Sequence, residues 1–248
     1  MKRIVLIILS SLAFLTYVYS QERTVENRPY TDLRPFHFGV LVGTHLQDIE
    51  LVNAGPQILT NEDGTVVEKV ISCDQDRWDA GFTVGVLGEL RLSSCLAFRV
   101  APSMYFGTRH LTFHNFTDVL GDGQPLELQQ EMKSVYISSD CNLIFAAKRF
   151  NNHRPYVLAG LNPMFNLSGK SEDVLRLKKF DCYLELGIGC DFYLPFFKLR
   201  PELKFGYSLI DALDSKHPNE LKDKNMMMYS QSVRKAQTKI IGLTFYFE

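Results

Sequence analysis

The sequence has little of what identifies several common classes of protein. Acidic and basic residues almost balance, with 27 Lys and Arg against 28 Asp and Glu, so no charge excess points to nucleic acid. Beyond residue 20 no long apolar stretch occurs, which argues against transmembrane helices of about 20 residues. Helical periodicity is poor, and no CxxC pair suggests a redox or zinc site. A β-rich fold is therefore the first expectation.

Residues 1–20 predict a secretory signal peptide. Two basic residues precede an apolar run that ends near Leu15, and Val18 and Ser20 occupy the −3 and −1 positions of a cleavage site. An uncleaved membrane anchor is the alternative, but the run is shorter than the roughly 20 residues of a bilayer span. No cysteine follows the cleavage site, so a lipid anchor is not indicated.

Alternation of apolar and polar residues runs along the rest of the chain. Successive side chains of a β-strand point to opposite faces, so a period of two indicates strands. Eight segments show this period, and Gly, Asn or Asp occurs in most of the stretches between them. They are Phe36–Leu46, Gly81–Leu92, Cys95–Gly107, Ser134–Ala146, Pro155–Leu167, Phe180–Tyr193, Lys198–Tyr207 and Thr238–Glu248.

The connections between these segments alternate between short and long. In an antiparallel meander alternate connections lie at opposite ends, so all short turns share one end. Short periplasmic turns and long outer loops are typical of outer-membrane barrels. We predict an all-β fold, an eight-stranded antiparallel up-and-down transmembrane β-barrel over residues 36–248. It follows the signal peptide (1–20) and a periplasmic segment (21–35), and its even strand number puts both termini in the periplasm.

The apolar faces of these strands should contact lipid and the polar faces should line the lumen. In Lys198–Tyr207, for example, Leu203 and Phe205 would face hydrocarbon while Arg200 and Lys204 point inward. A soluble eight-stranded barrel is the alternative and would reverse the two faces. The many glycines on the polar faces and the strict alternation of loop lengths favour the membrane barrel.

Charges of both signs are predicted to fill the lumen. Eight strands leave an interior just wide enough for side chains, and buried charges persist there when they are paired. A plugged barrel is favoured over a narrow polar pore on this ground. The predicted lumenal charge network consists of Glu89, Arg91, Arg99, Asp140, Glu185, Arg200, Glu202 and Lys204.

An outer-membrane hydrolase or protease is the enzymatic alternative. Such a site needs a His near an acid and a nucleophile, and His110, His114 and Asp118 follow the third segment. Ser103 lies a few residues earlier in the lumenal phase. Histidines are common in loops, so we expect no catalytic residues.

Metal sites and disulfides are also not expected. His37 and His45 lie too far apart along one strand to share an ion, and no cofactor is indicated. Cys141, Cys182 and Cys190 fall in the lipid-facing phase, and the fourth and sixth segments are separated by the fifth. A bridge between them would exceed disulfide geometry, so these cysteines should be free.

Three stretches resemble the PorT family of Bacteroidetes outer-membrane barrels. They are AFRVAPSMYFGTRHLTF (97–113), RPYVLAGLNPMFNLSG (154–169) and IIGLTFYFE (240–248), and the resemblance extends over about residues 36–248. It implies a non-enzymatic role in the type IX secretion system, which exports proteins with C-terminal sorting domains. The implied partners are the outer membrane and other secretion-system proteins, with no nucleic acid and no small-molecule substrate. A surface adhesin or structural barrel remains the alternative.

Functional residues of such a barrel would be contact residues on exposed loops. Trp78, the sole Trp, ends the first loop and should anchor at the membrane interface. Met226, Met227 and Met228 lie in the last loop, and flexible methionines suit an adaptable protein contact. The alternative for these methionines is packing against the barrel mouth.

Overall fold

A computed structural model describes residues 25–60, 66–119, 125–168, 173–221 and 224–248, so the predicted signal peptide lies outside the described residues. These ranges contain ten β-strands, one α-helix and two short 3-10 turns. The strands are β1 Phe36–Asn53, β2 Pro56–Thr60, β3 Val66–Asp74, β4 Asp79–Arg91, β5 Leu96–Val119, β6 Pro125–Ala146, β7 His153–Asn166, β8 Phe180–Tyr193, β9 Lys198–Ser208 and β10 Val233–Phe247. The helix α1 is Lys224–Gln231, and the 3-10 turns are Thr31–Leu33 and His217–Glu220. In these ranges no helix has the length and apolar character needed to cross a membrane.

Eight of the described strands close into a ring, which confirms the predicted antiparallel barrel. The order around the ring is β1-β4-β5-β6-β7-β8-β9-β10, and β10 returns to β1 with Phe247 opposite Val40. Pairing of β5 with β6, with Leu96 opposite Phe145, joins the two edges of the sheet. The remaining strands, β2 and β3, form a hairpin that pairs through β3 with the far part of β5.

The barrel wall is apolar outside and polar inside. Large hydrophobic side chains such as Phe38, Val86 and Ile188 are exposed on the outer face. Inward residues of the same strands, such as Glu89 on β4 and Asp191 on β8, are buried although they are charged. A soluble protein does not bury its charges and expose its hydrophobic residues, so the outer face is the one that contacts lipid.

Glycines on the inner face make room for tyrosines on the neighbouring strand. An added Cβ at Gly189 would lie 2.5 Å from the ring of Tyr156, its partner across the β7–β8 pair. At Gly206 the nearest atom to such a Cβ is in the ring of Tyr183, at 3.4 Å. The glycines of the polar face thus let large rings lie flat against the wall and fill the lumen.

The prediction that long loops follow the first and third segments is wrong in part, because much of these connections is β-strand. Instead β1 continues to Asn53, β5 to Val119, and β6 begins at Pro125. The reason is that apolar and polar residues continue to alternate, but here the inward positions are apolar and the outward positions are polar. Ile49 and Phe113 keep the inward phase and are buried in an apolar cluster. Nearer the short turns the inward phase carries buried charges such as Glu89 alongside apolar residues such as Leu41. Past the membrane boundary the outer face meets water, so the apolar residues are on the inside.

Candidate functional site: the filled lumen and its two closures

Charged side chains in mutual contact fill the lumen near the short turns. Arg200 Nη1 lies 2.6 Å from Glu89 Oε2, and Arg200 Nε lies 2.6 Å from Asp191 Oδ1. Glu248, the last residue, pairs with both Arg200 and Lys198. All five side chains are almost fully shielded from solvent. Each cation therefore has carboxylates at close range, which is the condition for burying charge.

A second layer centres on Arg99, which is fully buried on β5. Arg99 Nε lies 3.2 Å from Glu89 Oε2, and its Nη1 donates to Glu202. Glu202 also accepts a 2.7 Å hydrogen bond from the Tyr156 hydroxyl. The Arg99 guanidinium lies 4.4 Å from the centre of the Tyr246 ring. Carboxylates and an aromatic face together stabilise this cation.

A third layer centres on Lys204 at mid-height of the wall. Its Nζ donates to Asp140 and lies 3.7 Å from Glu185 Oε2. The Asn142 and Asn162 amides donate to the two oxygens of Glu185, at 3.3 and 2.8 Å. This layer links four strands, because β6, β7, β8 and β9 each contribute a side chain.

Seven of the eight residues predicted for the network are brought together in these layers, and Arg91 is the exception. Arg91 is the last residue of β4 and donates to the carbonyls of Ser93 and Leu33, each at 3.2 Å. The wall ends there, so the long side chain reaches turn carbonyls at the rim. Arg91 therefore lies outside the lumenal charge network, contrary to the prediction from the sequence.

Sequence reasoning omitted three members of the network from the predicted site. Asp191 continues the inward phase of Glu185 along β8, and Lys198 precedes Arg200 by two residues on β9. Glu248 continues the phase of Tyr246 beyond the end of β10. The alternation of inward and outward residues therefore predicts an inward side chain at all three positions. They would have been found if the alternation had been followed to the ends of the strands.

A strap across the short-turn end, residues 25–35, closes the lumen on that side. Arg149 in the β6–β7 turn donates to the Asn27 carbonyl, and its guanidinium lies 3.7 Å from the centre of the Tyr193 ring. The Tyr193 hydroxyl donates to Asp32 Oδ1 at 2.6 Å. These contacts hold the described part of the predicted periplasmic segment against the barrel.

An apolar cluster, here called the outer cap, closes the opposite end. Strand extensions, the hairpin strand β3, two connecting segments and α1 all contribute to it. In it Phe113 and Tyr229 make an edge-to-face contact with ring centres 5.9 Å apart. Its buried members are Ile49, Ile71, Cys73, Leu111, Phe113, Met132, Leu175, Leu177, Ala212, Leu213, Tyr229, Val233 and Ala236. A core of this size excludes water from the outer mouth, so the described lumen is closed at both ends.

The two candidate catalytic histidines lie apart, each with its own acidic neighbour. His110 Nδ1 lies 2.7 Å from Asp79 Oδ1 at the start of β4. His114 Nδ1 lies 3.3 Å from Glu127 Oε1 on β6. Asp79 is buried, whereas Glu127 is exposed on β6, so the two pairs have different environments.

The candidate acid and nucleophile are also separated from those histidines. Asp118 pairs with Lys69 at 2.6 Å, and this hydrogen bond holds the pKa of Asp118 below its usual value. Ser103 is buried in the lumen, with its hydroxyl 2.7 Å from that of Ser138. Within the described residues these four candidates form no acid–base–nucleophile arrangement.

All five cysteines, including the three in the wall, are free in the structure. Cys73 lies in the outer cap, where burial raises the pKa of its thiol. A buried neutral thiol is a packing group rather than a nucleophile. Among the described residues no group of His, Cys, Asp or Glu has the arrangement of a metal site.

The predicted contact residues have different environments. Trp78 is exposed at the outer end of the apolar wall, beside a groove that includes Phe205, Tyr207 and Ile241. Met226 and Met228 pack against the outer cap, so the alternative of packing at the barrel mouth holds for these two. Met227 is half-buried and lies outside that cluster.

These features define the class of protein as a closed, eight-stranded outer-membrane barrel with a filled lumen. The chain belongs to the family described as the outer membrane protein beta-barrel domain, which matches residues 19–214. This membership places the protein in the outer membrane.

Two solved structures are similar to the chain. Neisserial surface protein A (NspA) has 11% sequence identity over 86% of this chain and 98% of its own, with a TM-score of 0.43. Ail, the attachment invasion locus protein of Yersinia pestis, was solved in complex with the heparin analogue sucrose octasulfate. It has 15% identity over 87% of this chain and 100% of its own, with a TM-score of 0.35. Comparison with curated proteins gave no match.

Proposed function

We propose that this protein is a non-enzymatic outer-membrane component of the type IX secretion system, needed for export of proteins with C-terminal sorting domains. The resemblance of residues 97–113, 154–169 and 240–248 to the PorT family supports the pathway. The protein reaches the outer membrane after cleavage of residues 1–20, and residues 21–35 stay in the periplasm.

The proposed mode of action rests on one observation, namely that the lumen is filled with side chains and covered at both ends. Ion pairs such as Arg99–Glu202 occupy its centre, and the strap and the outer cap cover its ends. A folded or extended cargo chain has no room to pass through this barrel. The protein therefore acts beside the conduit, as a scaffold that contacts other components of the secretion machinery.

Contacts with such components are proposed for the two ends that the membrane leaves accessible. Trp78 sets the height of the barrel in the bilayer, and Met227 is available next to the outer cap. On the periplasmic side the strap and the short turns present the accessible surface.

A gene deletion tests this function. We expect proteins with C-terminal sorting domains to accumulate in the periplasm and to return to the cell surface on complementation with the wild-type gene. The amount of folded barrel is checked by its faster migration in unboiled SDS samples, because a closed barrel resists detergent. Normal surface delivery in the deletion strain would contradict the proposal.

A surface adhesin is the second candidate, and one feature favours it. The extended β5–β6 pair and the β2–β3 hairpin project beyond the cap and expose apolar side chains such as Ile58 and Phe116. The same deletion strain separates the two functions. Loss of attachment to surfaces with unchanged export would support the adhesin.

A further inference from the structure

A polar cavity, here called the rim cavity, opens on the outside of the barrel just beyond the apolar part of the wall. Its walls are residues 110–112 of β5, the paired residues 129–131 of β6, and Asp76 and Arg77 of the connection between β3 and β4. Its volume is about 250 Å³, and every residue that lines it belongs to the described ranges. The secretion role proposed above does not involve this cavity.

Hydrogen bonds hold the connection against the strands, so the rim cavity is formed by the chain alone. Asp79, which is 6% exposed, accepts a 2.8 Å hydrogen bond from the backbone N–H of His110. Gln75 donates to the same carboxylate at 3.2 Å, and the Thr112 hydroxyl donates to Asp76 Oδ2 at 2.7 Å. A site that is formed before its ligand arrives loses less free energy to ordering when the ligand binds.

Both donors and acceptors of the rim cavity remain available to a ligand. One carboxylate oxygen of Asp76 is engaged by Thr112, which leaves Oδ1, and the Glu131 side chain is 76% exposed. The Arg77 side chain is 68% exposed, and its Nε lies 3.6 Å from the nearest oxygen of Asp79, too far for a hydrogen bond. Gln129 is exposed beside them and adds an amide, which both donates and accepts.

This mixture of groups selects the class of ligand. A phosphate or sulfate would be repelled by Asp76 and Glu131, and a simple cation would be repelled by Arg77. Neighbouring hydroxyl groups suit the cavity, because a hydroxyl donates to a carboxylate and accepts from a guanidinium or an amide. Sites for drug-sized ligands begin at about 300 Å³, so the slightly smaller rim cavity suits a single ring. We propose that it binds one neutral hexopyranose ring.

The height of the rim cavity leaves two sources for this sugar. The rings of Phe82 and Phe106 stack on the lipid-facing wall with their centres 4.8 Å apart. His110 follows Phe106 on the same face of β5, about 13 Å further along the strand, which is the level of lipid head groups. The ring therefore belongs either to a glycolipid of the outer leaflet or to a glycan in the medium.

The experiment uses the purified full chain in lauryldimethylamine oxide, a detergent that contains no sugar. Saturation-transfer NMR follows the binding of the methyl glycosides of glucose, galactose, mannose and N-acetylglucosamine, with open-chain sorbitol for comparison. Saturable binding of at least one glycoside, and not of sorbitol, is expected. Arg77→Ala and Glu131→Ala should each weaken that binding about tenfold, because each removes a hydrogen bond to a charged group. Both side chains are exposed, so neither change should impair folding.

Glu127→Ala is the matched control, because Glu127 is exposed on the same face of β6 but does not line the rim cavity. It should bind the glycoside as the wild type does. Absence of binding for all four glycosides, equal weakening in Glu127→Ala, or tighter binding of inorganic phosphate or sorbitol would overturn the proposal.

Nanodiscs distinguish the two sources of the sugar. The titration is repeated in phosphatidylcholine nanodiscs with and without a diacylglycerol glycoside whose head group is the sugar that binds best. Loss of binding of the free glycoside in the glycolipid discs would support the site and assign it to membrane glycolipids. Unchanged binding would also support the site and assign it to glycans in the medium.

Discussion

At the scale of single residues, inward or outward phase decides what a substitution does. Leu203 is 36% exposed on the lipid side of β9, whereas its neighbour Lys204 is buried against Asp140 and Glu185. The direction of each side chain, inward or outward, can be predicted directly from the alternation in the sequence. The ion-pair partner of each inward charge cannot be predicted in this way, because partners lie on other strands and depend on the stagger of the closed ring.

Two adjacent substitutions on β9 should have opposite consequences. Lys204→Leu leaves Asp140 and Glu185 buried without their cation, which should destabilise the barrel by about 3–5 kcal/mol. Leu203→Phe only enlarges a side chain in contact with lipid and should assemble normally. The measurement is the midpoint temperature of the mobility shift in SDS. If Leu203→Phe lowered this temperature more than Lys204→Leu, the apolar face of the wall would be the inner one.

The histidines beyond the membrane should be dispensable for export. His110, His114 and Asp118 contact three different partners and form no site together. Alanine at each position should leave delivery of sorting-domain proteins unchanged. Cell fractionation with matched barrel levels measures this, and loss of export with a normal barrel would restore the case for a catalytic role.

At the scale of elements, the strand ends were harder to predict than the strands. The sequence segment Phe36–Leu46 lies wholly within β1, but the strand continues to Asn53. The polarity of the alternation inverts past Leu46, so a pattern of outward apolar residues ends there although the strand does not. The inversion has a physical cause, since the outer face passes from lipid to water while Ile49 packs inward on the cap.

The strap should depend on one arginine in the β6–β7 turn. Arg149→Ala removes hydrogen bonds to Asn27, Arg28 and Asn152. The strap should then open roughly tenfold more often, for a loss of about 1.4 kcal/mol. Chymotrypsin cleavage after Tyr30 or Leu33, both exposed in the strap, measures the opening in detergent-solubilised protein.

Lys148 provides the matched control for this variant, because it is exposed on the same turn. In the described part of the chain it makes no hydrogen bond or ion pair. Lys148→Ala should leave the cleavage rate unchanged. Equal acceleration in both variants would show that the strap is not held by Arg149.

Two adjacent methionines of the helix α1 provide another test position with a matched control. Met228 packs on the outer cap, so Met228→Asp would place a carboxylate against apolar side chains and weaken the cap. Met227 lies outside the cluster, and Met227→Asp should be tolerated. Limited proteolysis of the outer segments compares the two, and equal sensitivity would contradict the assignment of their environments.

At the scale of the whole molecule, the closed lumen predicts an electrically silent barrel. Reconstituted in a planar bilayer, the protein should give no steady conductance steps, because ion pairs fill its width. A variant lacking the strap should stay silent as well, since the Arg99 layer remains in place. Regular steps in the wild type would show an open path through the lumen.

The inverted polarity of the strand extensions has a consequence for biogenesis. The water-facing surface beyond the membrane carries Asp48, Glu50, His110 and the Lys69–Asp118 pair. During insertion from the periplasm this entire surface must cross the hydrocarbon before the barrel closes, and each charge raises the barrier. The final state is stable, but the route to it is not open to an unassisted chain. We expect the protein to enter protein-free bilayers slowly, so that its arrival at the cell surface is controlled by the rate of catalysed insertion.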